Sequence, residues 1–368
     1  MDKFSSENLL YPRQSVGIFA WLRKNLFSSY VNGLMTVFIL WLLWLFVPPF
    51  LDWALFSAHW AGDGRTACEG DGACWVFVAS RIDQFLYGFY PEASYWRPNL
   101  AGVILLALLI PLFFKAFPWK RWLGLFTLLV YPFIAYALIY GGWFGLDVVE
   151  TSQWGGLMLT LILASVGIVA SLPLGILLAL GRRSKMPLFR SVCIVYIEFW
   201  RGVPLITVLF MASVMLPLFF PEGTDFDKLL RALVGITLFQ AAYMAEVIRG
   251  GLQAIPKGQY EAAAALGLNY PKSMCFIILP QALKLVIPGI VNTFIALFKD
   301  TTLVLIIGLL DLLAIIQLAL TGSSWLGYDI EGYLFAGAVF WIFCFAMSRY
   351  SIALEAKLET GHRNDDGR

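Results

Sequence analysis

About eight apolar runs, each near the ~20 residues a helix needs to cross a bilayer, constrain this chain more than any other feature. They cover approximately residues 31–51, 100–117, 123–142, 157–180, 192–220, 229–248, 285–310 and 333–353. Inside lipid no water is available to satisfy backbone groups, so each run must form its own hydrogen bonds, as a helix does. The expected fold is therefore an all-α polytopic membrane protein. Composition agrees: 60% of residues are hydrophobic and only 14% charged, against roughly half and a quarter in soluble domains. Little room is left for a soluble domain. Polar residues that include Arg13, Arg23 and Lys24 precede the first run, and no small-residue cleavage site follows a short apolar core. The first span is expected to be a retained anchor rather than a signal peptide.

The charges between the runs alternate in sign. Lys3, Arg13, Arg23 and Lys24 precede the first run; Lys115, Lys120 and Arg121 follow the second; Arg182, Arg183, Lys185 and Arg190 follow the fourth. Arg249, Lys257, Lys272 and Lys284 lie between the sixth and seventh, and Arg349, Lys357, Arg363 and Arg368 follow the last. The other loops carry the acids: Asp63, Glu69, Asp71, Asp83 and Glu92, then Asp147 and Glu150, then Glu222, Asp225 and Asp227, then Asp329 and Glu331. Basic loops stay in the cytoplasm, so both termini are expected there. The chain divides near 147–154. Segment 1–150 holds three spans and a polar extracytoplasmic loop, 52–98; segment 151–355 holds five spans; 356–368 is a cytoplasmic tail. No internal repeat suggests inverted symmetry.

Two of the five cysteines, Cys68 and Cys74, lie close together in CEGDGAC within the loop 52–98. They form a disulfide if that loop faces an oxidising compartment, or stay as two thiols in a glycine-rich turn. No histidine or further cysteine is close enough to suggest a metal site.

Between the sixth and seventh runs lies a polar, alanine-rich segment, 258–280. Pro256 and Gly258 break the preceding helix. Glu261 to Leu266 favours a helix, with Glu261 placed in its first turn, where a negative charge suits the helix dipole. Gly267 is placed to end it in the left-handed conformation, with Leu268 packing back. Asn269 can cap a second helix with Pro271 in its first turn, and Pro280 ends or kinks that helix. The expected element is helix, tight turn, helix, outside the membrane: an ordinary hairpin between spans, or a surface on which a partner docks.

The same segment, EAAAALGLNYPKSMCFIILP, resembles the EAA motif of ATP-binding-cassette importer permeases: Glu261, Ala262 and Ala263, then Gly267, then nine residues, then Ile277, Leu279 and Pro280. AYMAEVIRGGLQAIPKGQ before it is similar to the lead-in of the polar amino acid permeases of the histidine, glutamine and glutamate type. EFWRGVPL matches the E-x-x-R-G-T-P-L pattern of that subfamily with Val203 for Thr, and FKDTTLV matches L-K-D-T-S-L-V with Phe298 for Leu and Thr302 for Ser. The longer layout resembles the M-type permease of general L-amino acid systems of the Aap and Bzt kind.

The resemblance implies that the last five spans form a type I importer permease core. It implies that Glu261, Ala262, Ala263, Gly267, Ile277, Leu279 and Pro280 belong to a coupling segment for a separate ATPase. It also implies uptake of polar L-amino acids across a bacterial inner membrane, with a periplasmic amino-acid-binding protein and a second permease, more readily a paralogue than a second copy. The extension then stabilises that pair, contacts the binding protein, or faces lipid with no direct role. No phosphate-binding G-x-x-x-x-G-K-[ST] occurs in the chain, so ATP and magnesium are assigned to the partner ATPase and no cofactor to this chain.

Glu198 and Arg201 in the fifth run, and Lys299 and Asp300 in the seventh, are the ionisable residues well inside apolar stretches. A charge in hydrocarbon costs ~2.5–3.5 kcal/mol on insertion scales, so such groups face partners or an aqueous path. Either Arg201 and Lys299 pair with Glu198 and Asp300, or some of the four line a translocation path and meet the two charges of a zwitterion. Glu246 and Arg249 read as an i, i+3 helical pair. Two other functions fit these residues less well. An ion-gradient-driven secondary transporter would use Glu198 or Asp300 as its ion site, but leaves the polar docking element without a purpose. A membrane enzyme would have only His59 and His362, one in an outer loop and one in the tail, with no clustered catalytic set.

Overall fold

Helix α1 (Ile18–Asn25) ends on Arg23 and Lys24, cations suited to a helix C-terminus. Ser29 then caps α2 (Tyr30–Leu51), its Oγ accepting from the Asn32 amide at 3.2 Å. No residue of α2 is buried against its own chain; a helix apolar on every side needs lipid around it. Pro48 and Pro49 lack amide donors, and the helix widens into a π-turn, Asp52–Phe56. The chain then folds back. His59 bridges Cys74, the Trp75 indole donates to the Ala54 carbonyl at 2.8 Å, and Cys68 and Cys74 are disulfide-bonded with Cα atoms 5.5 Å apart. Residues up to Val76 form one compact unit and those from Phe77 a second. This computed structural model describes residues 17–359 apart from 63, 115–116, 144, 220 and 222–225. Lys3, Arg13, Asp63, Lys115, Glu222, Asp225, His362, Arg363 and Arg368, and most of the tail 356–368, lie outside the described residues.

Much of the expected polar loop 52–98 is built structure. Helices α3 (Trp75–Ser80) and α4 (Ile82–Tyr87) carry Phe77 and Phe85, which are fully buried. The Phe77 ring meets Trp325 at 5.3 Å and the Phe85 ring meets Phe335 at 5.7 Å. Acidic neighbours mark the segment as polar in composition, yet its aromatics reach the core. Helix α5 (Trp96–Phe113) follows, then α6 (Lys120–Leu129) and α7 (Tyr131–Tyr140), with Pro132 in the first turn of α7.

Helix α8 (Gly156–Arg182) is the first of the later spans, and α9 (Pro187–Gly202) and α10 (Leu205–Phe210) follow it. The run 192–220, expected as one span, is broken: the two helices of that run are bent by 103°. Pro204 forces the residue before it out of the helical region, and Val203 is accordingly extended at φ −108, ψ 135. Next come α11 (Lys228–Ala254), α12 (Lys257–Ala265), α13 (Tyr270–Ser273), α14 (Leu279–Leu285) and α15 (Ile287–Asp300). Helix α15 tightens into a 3-10 segment, Thr301–Ile307, before α16 (Leu312–Leu320) and α17 (Asp329–Glu359). Among the described residues, seven helices are long and apolar enough to cross a membrane, and eight if the bent pair is one span.

Small residues set how closely the spans approach. A Cβ on Gly175 of α8 would lie 2.7 Å from Met244 of α11, and one on Gly167 would lie 3.0 Å from Leu297 and 3.1 Å from Ile236. Spans from both sides of residue 150 share one apolar core, with Tyr90, Ala101, Ile139 and Val149 beside Trp154, Leu159, Leu163 and Leu209. Tyr90 donates to the Ile139 carbonyl at 2.6 Å, and the buried Arg97 donates to the Asp147 carbonyl at 2.7 Å.

Three backbone segments meet in a glycine clasp at one end of α8. Gly88 bridges Trp154 antiparallel, while Gly155 and Gly156 bridge Leu310 and Asp311 in parallel. A Cβ on Gly88 would collide with the Gly155 backbone, and one on Gly156 with the Phe85 carbonyl. Gly156 also has φ +61, a conformation costly for side chains. Gly156→Ala is expected to sharply lower the yield of folded protein, and Gly102→Ala, where a Cβ meets nothing within 4 Å, to leave it intact. Fluorescence-detected size exclusion of the two variants checks this.

Asp311 caps α16: its Oδ1 accepts from the Ala314 amide at 3.0 Å, while Oδ2 is buried with no hydrogen-bond partner among the described residues. Burial pushes its carboxyl up to about 6, against the pull of the Ala314 and Leu313 amides. A folded pKa above the unfolded 3.8 means the protonated form favours folding. Stability from this group is therefore present below about pH 4 and lost as pH rises through about 6, by about 3 kcal/mol in all. Asp311→Asn keeps a good cap without the charge. Its thermal midpoint in detergent should exceed that of wild type by a margin that widens from pH 5 to pH 8.

Candidate functional site

The polar element between α11 and α15 is built as its sequence suggests, with two differences. Ile255 is extended and Pro256 occupies the cap position, so α12 begins at Lys257. Gly258 is thus carried inside the helix rather than breaking it, and Glu261 sits in the second turn, not the first. Pro256 alone makes the break, because its fixed φ suits a cap and its missing amide has no helical role there. Pro280 neither ends nor sharply breaks its helix: it lies in the first turn of α14, directly after a π-turn, Met274–Ile278. That turn's end is closed by the Leu279 amide on the Met274 carbonyl.

The turn between the helices follows local rules. Gly267 has φ +73; its amide donates to the Ala264 carbonyl at 2.9 Å, and the Leu268 amide to Ala263 at 3.1 Å. The Asn269 side chain accepts from the Lys272 amide at 3.2 Å, with Pro271 in the first turn of α13.

The motif residues divide between two faces. Glu261, Ala262, Gly267 and Pro280 are exposed. Ala263 is buried, and Ile277 and Leu279 pack on a core of Ile248, Leu252, Met274 and Ile278. The first set supplies a surface and the second braces it. Leu266, passed over in sequence, is 75% exposed on the outer side; a leucine ending an alanine run just before a helix-terminating glycine is the signal for it. Gly251 lets α14 come close to α11, since a Cβ there would lie 2.6 Å from the Ala282 carbonyl.

Side-chain hydrogen bonds tie α12 to its surroundings. Gln281 donates to Gln259 at 3.2 Å. Arg183, just past the end of α8, donates to the Leu252 carbonyl at 2.7 Å and to the Tyr260 hydroxyl at 3.0 Å. The Tyr260 hydroxyl in turn donates to the Leu252 carbonyl at 3.2 Å, and the Arg183 guanidinium lies 5.6 Å from the Tyr260 ring centre.

Behind the element lies a cluster of charges. Glu246 of α11 is its centre, with side chain 15% exposed. It receives Arg182 of α8 at 2.8 Å, Arg249 of α11 at 2.7 Å and Arg201 of α9 at 3.8 Å. Arg182 also meets Glu198 of α9 at 2.8 Å, where the carboxylate is 55% exposed. The expected pairing of Arg201 and Lys299 with Glu198 and Asp300 is therefore not the one formed. Arg201 turns to Glu246 and lies over the Tyr243 ring at 5.7 Å, because the bend after α9 brings its end against α11. Lys299 and Asp300 sit at the end of α15, and among the described residues no ion pair joins them to Glu198 or Arg201. The i, i+3 pair of Glu246 and Arg249 is present. Arg182, read in sequence as a loop charge, and the central role of Glu246 were missed. Their signal was a basic residue at the last turn of one span and an acid two turns inside the end of another.

A carboxylate shared by three guanidiniums can fix three helices against one another. Removing it leaves Arg249 and Arg201 without their carboxylate, while Arg182 keeps Glu198, at a cost of about 2 kcal/mol once partial exposure is allowed for. Glu246→Gln is expected to lower the thermal midpoint in detergent strongly, whereas Glu198→Gln, half-exposed with one partner, should cost under about 1 kcal/mol.

The family model described as "Binding-protein-dependent transport system inner membrane component" matches residues 171–360. The chain is 59% identical to the inner membrane amino-acid ABC transporter permease protein YhdY of Escherichia coli, over 93% of each chain. It is 41% identical to the glutamate/glutamine/aspartate/asparagine transport system permease protein BztC of Rhodobacter capsulatus, over 96% of each. It is also 34% identical to the probable glutamine ABC transporter permease protein GlnP of Bacillus subtilis, over 55% of this chain and 90% of that one.

Proposed function

The chain belongs to the family of inner membrane components of binding-protein-dependent transport systems, and from that premise we propose that it is the permease subunit through which an ATP-driven importer takes up polar L-amino acids. The family is one of transport components, not of enzymes, and its members work with a binding protein and an ATPase. The observation that carries the reading is the element 258–280. Its inner face is braced on the apolar cluster and its outer face is exposed, which supports docking of a partner there.

In this reading the ATPase subunit binds ATP and magnesium and closes on Glu261, Ala262, Leu266, Gly267 and Pro280, while Ala263, Ile277 and Leu279 carry the load inward. Polar amino acids are proposed because both long relatives are named for amino-acid transport. A periplasmic binding protein delivers the substrate. We take the second permease to be a paralogue, since the short relative matches only 55% of this chain and a mixed pair gives the added spans a place. Residues 151–355 form the permease core and 1–150 an extension with three spans. The alternation of loop charges puts both termini in the cytoplasm. Glu198, Arg201, Lys299 and Asp300 are retained as candidate path residues, with the first two also holding the helix frame.

Gly267→Asp tests the reading. A Cβ at Gly267 meets nothing within 4 Å, so aspartate adds charge to the outer face with only the modest strain of a left-handed residue. Membrane insertion should be unchanged, co-purification of the ATPase lost, and amino acid uptake abolished. Normal uptake with the ATPase still attached would remove the coupling assignment.

A further inference from the structure

Arg182 and Arg183 are adjacent, yet they engage different bodies. Arg182 is drawn into the Glu246 cluster and joins α8 to α9 and α11. Arg183 is exposed and reaches across to the docking element, bonding the Leu252 carbonyl and the Tyr260 hydroxyl. Tyr260 immediately precedes Glu261 on α12. Its ring packs against the apolar cluster of α11 and α14, and its hydroxyl shares the Leu252 carbonyl with Arg183.

We propose that Arg183 and Tyr260 form a latch that transmits displacement of the docking helix α12 to the end of α8, and so is a positioning pair for transport. This rests on the coupling role assigned to 258–280 above. Three features point to it. First, the pair closes a loop: α8, the end of α11 and α12 meet at the Leu252 carbonyl, which α11 leaves without a helical partner at its terminus. Movement of α12 therefore cannot occur without either carrying Arg183 along or breaking its bonds. Second, the two neighbouring arginines separate a fixed joint from a breakable one. The Glu246 cluster is shielded, with three cations on one carboxylate; the Arg183 contact is a water-exposed cation over a tyrosine with neutral acceptors. Contacts of the second kind are individually weak and can be made and lost in each cycle. Third, the contact has the right partners in the right places. Arg183 lies one residue beyond the last turn of the first core span, and Tyr260 lies on the braced side of the helix whose other side faces solvent.

The test uses the whole transporter, purified with its native subunits and reconstituted in proteoliposomes with polar amino acid outside and ATP supplied to the ATPase. The readout is the number of amino acids moved per ATP hydrolysed, measured for wild type, Arg183→Ala, Arg183→Lys, Tyr260→Phe and the double variant. The expected result is a fall of about fivefold in that ratio for Arg183→Ala and for Tyr260→Phe, with the double variant no worse than either, as for residues acting through one contact. Arg183→Lys, which keeps the charge, should recover part of the loss. A merely structural role would reduce the amount of assembled complex and leave the ratio at the wild-type value; that result, with the ATPase subunit still bound, would overturn the latch alone. A wild-type preparation that carries no ATPase subunit would overturn the coupling role and the latch together.

Discussion

The largely shielded carboxylate of Glu246, 15% exposed, is the point on which the other features of the core depend. Charge inside a membrane protein is tolerated only when it is matched, and here one acid answers to cations from three helices. Because Arg182, Arg201 and Arg249 come from α8, α9 and α11, their common partner fixes the mutual placement of those helices in a way that apolar packing between lipid-facing spans would not. Everything mechanical follows from that frame. The broken span turns away just after Arg201. Helix α11 runs only a few residues past Arg249 before it hands over to α12. Helix α8 ends at Arg182, which faces the cluster, and Arg183 just beyond it faces the docking helix.

What could be read beforehand was whatever obeys local rules. Span lengths were legible because the bilayer imposes them. The docking element was legible because alanine, a left-handed glycine, a capping asparagine and a first-turn proline each act within a few residues of themselves. That a proline at 204 can open the helix is a local rule; the size of the bend, 103°, is not, because an apolar run gives length but no direction. The pairing of the charges escaped for a different reason. Arg182 and Glu246 are separated by 64 positions, and no spacing rule connects residues on different helices. Four ionisable residues were singled out for lying deep in apolar runs; the two that organise the site lie nearer the ends of theirs, where charge excites no suspicion.

The loop 52–98 shows how composition misleads in the opposite direction. Its acids and glycines describe a solvated connection, and for the disulfide-bonded turn of Cys68 and Cys74 that description serves. Beyond Val76 the same segment carries Phe77, Phe85 and Tyr90, all buried. A few aromatic residues decide whether a stretch is a tether or part of a core, and averages over the stretch dilute them. The candidate path residues Lys299 and Asp300 remain apart from the charge cluster, at a place where α15 tightens from an α-helix to a 3-10 helix. Their local geometry differs from that of Glu198 and Arg201, although the sequence presents all four alike.

The glycine clasp at Gly88, Gly155 and Gly156 bears on how a long permease of this kind relates to a short one. A short relative aligns with 55% of this chain, which invites the picture of a complete core with a detachable module in front of it. The backbone bridges contradict that picture. Gly88 bridges Trp154, and a Cβ on Gly88 would meet the Gly155 backbone at 2.4 Å, as one on Gly156 would meet the Phe85 carbonyl at 2.3 Å. The two parts have been fitted to one another atom by atom at the seam. Truncation before residue 150 would leave Trp154, Gly155 and Gly156 without the backbone of Phe85 and Gly88 that closes on them.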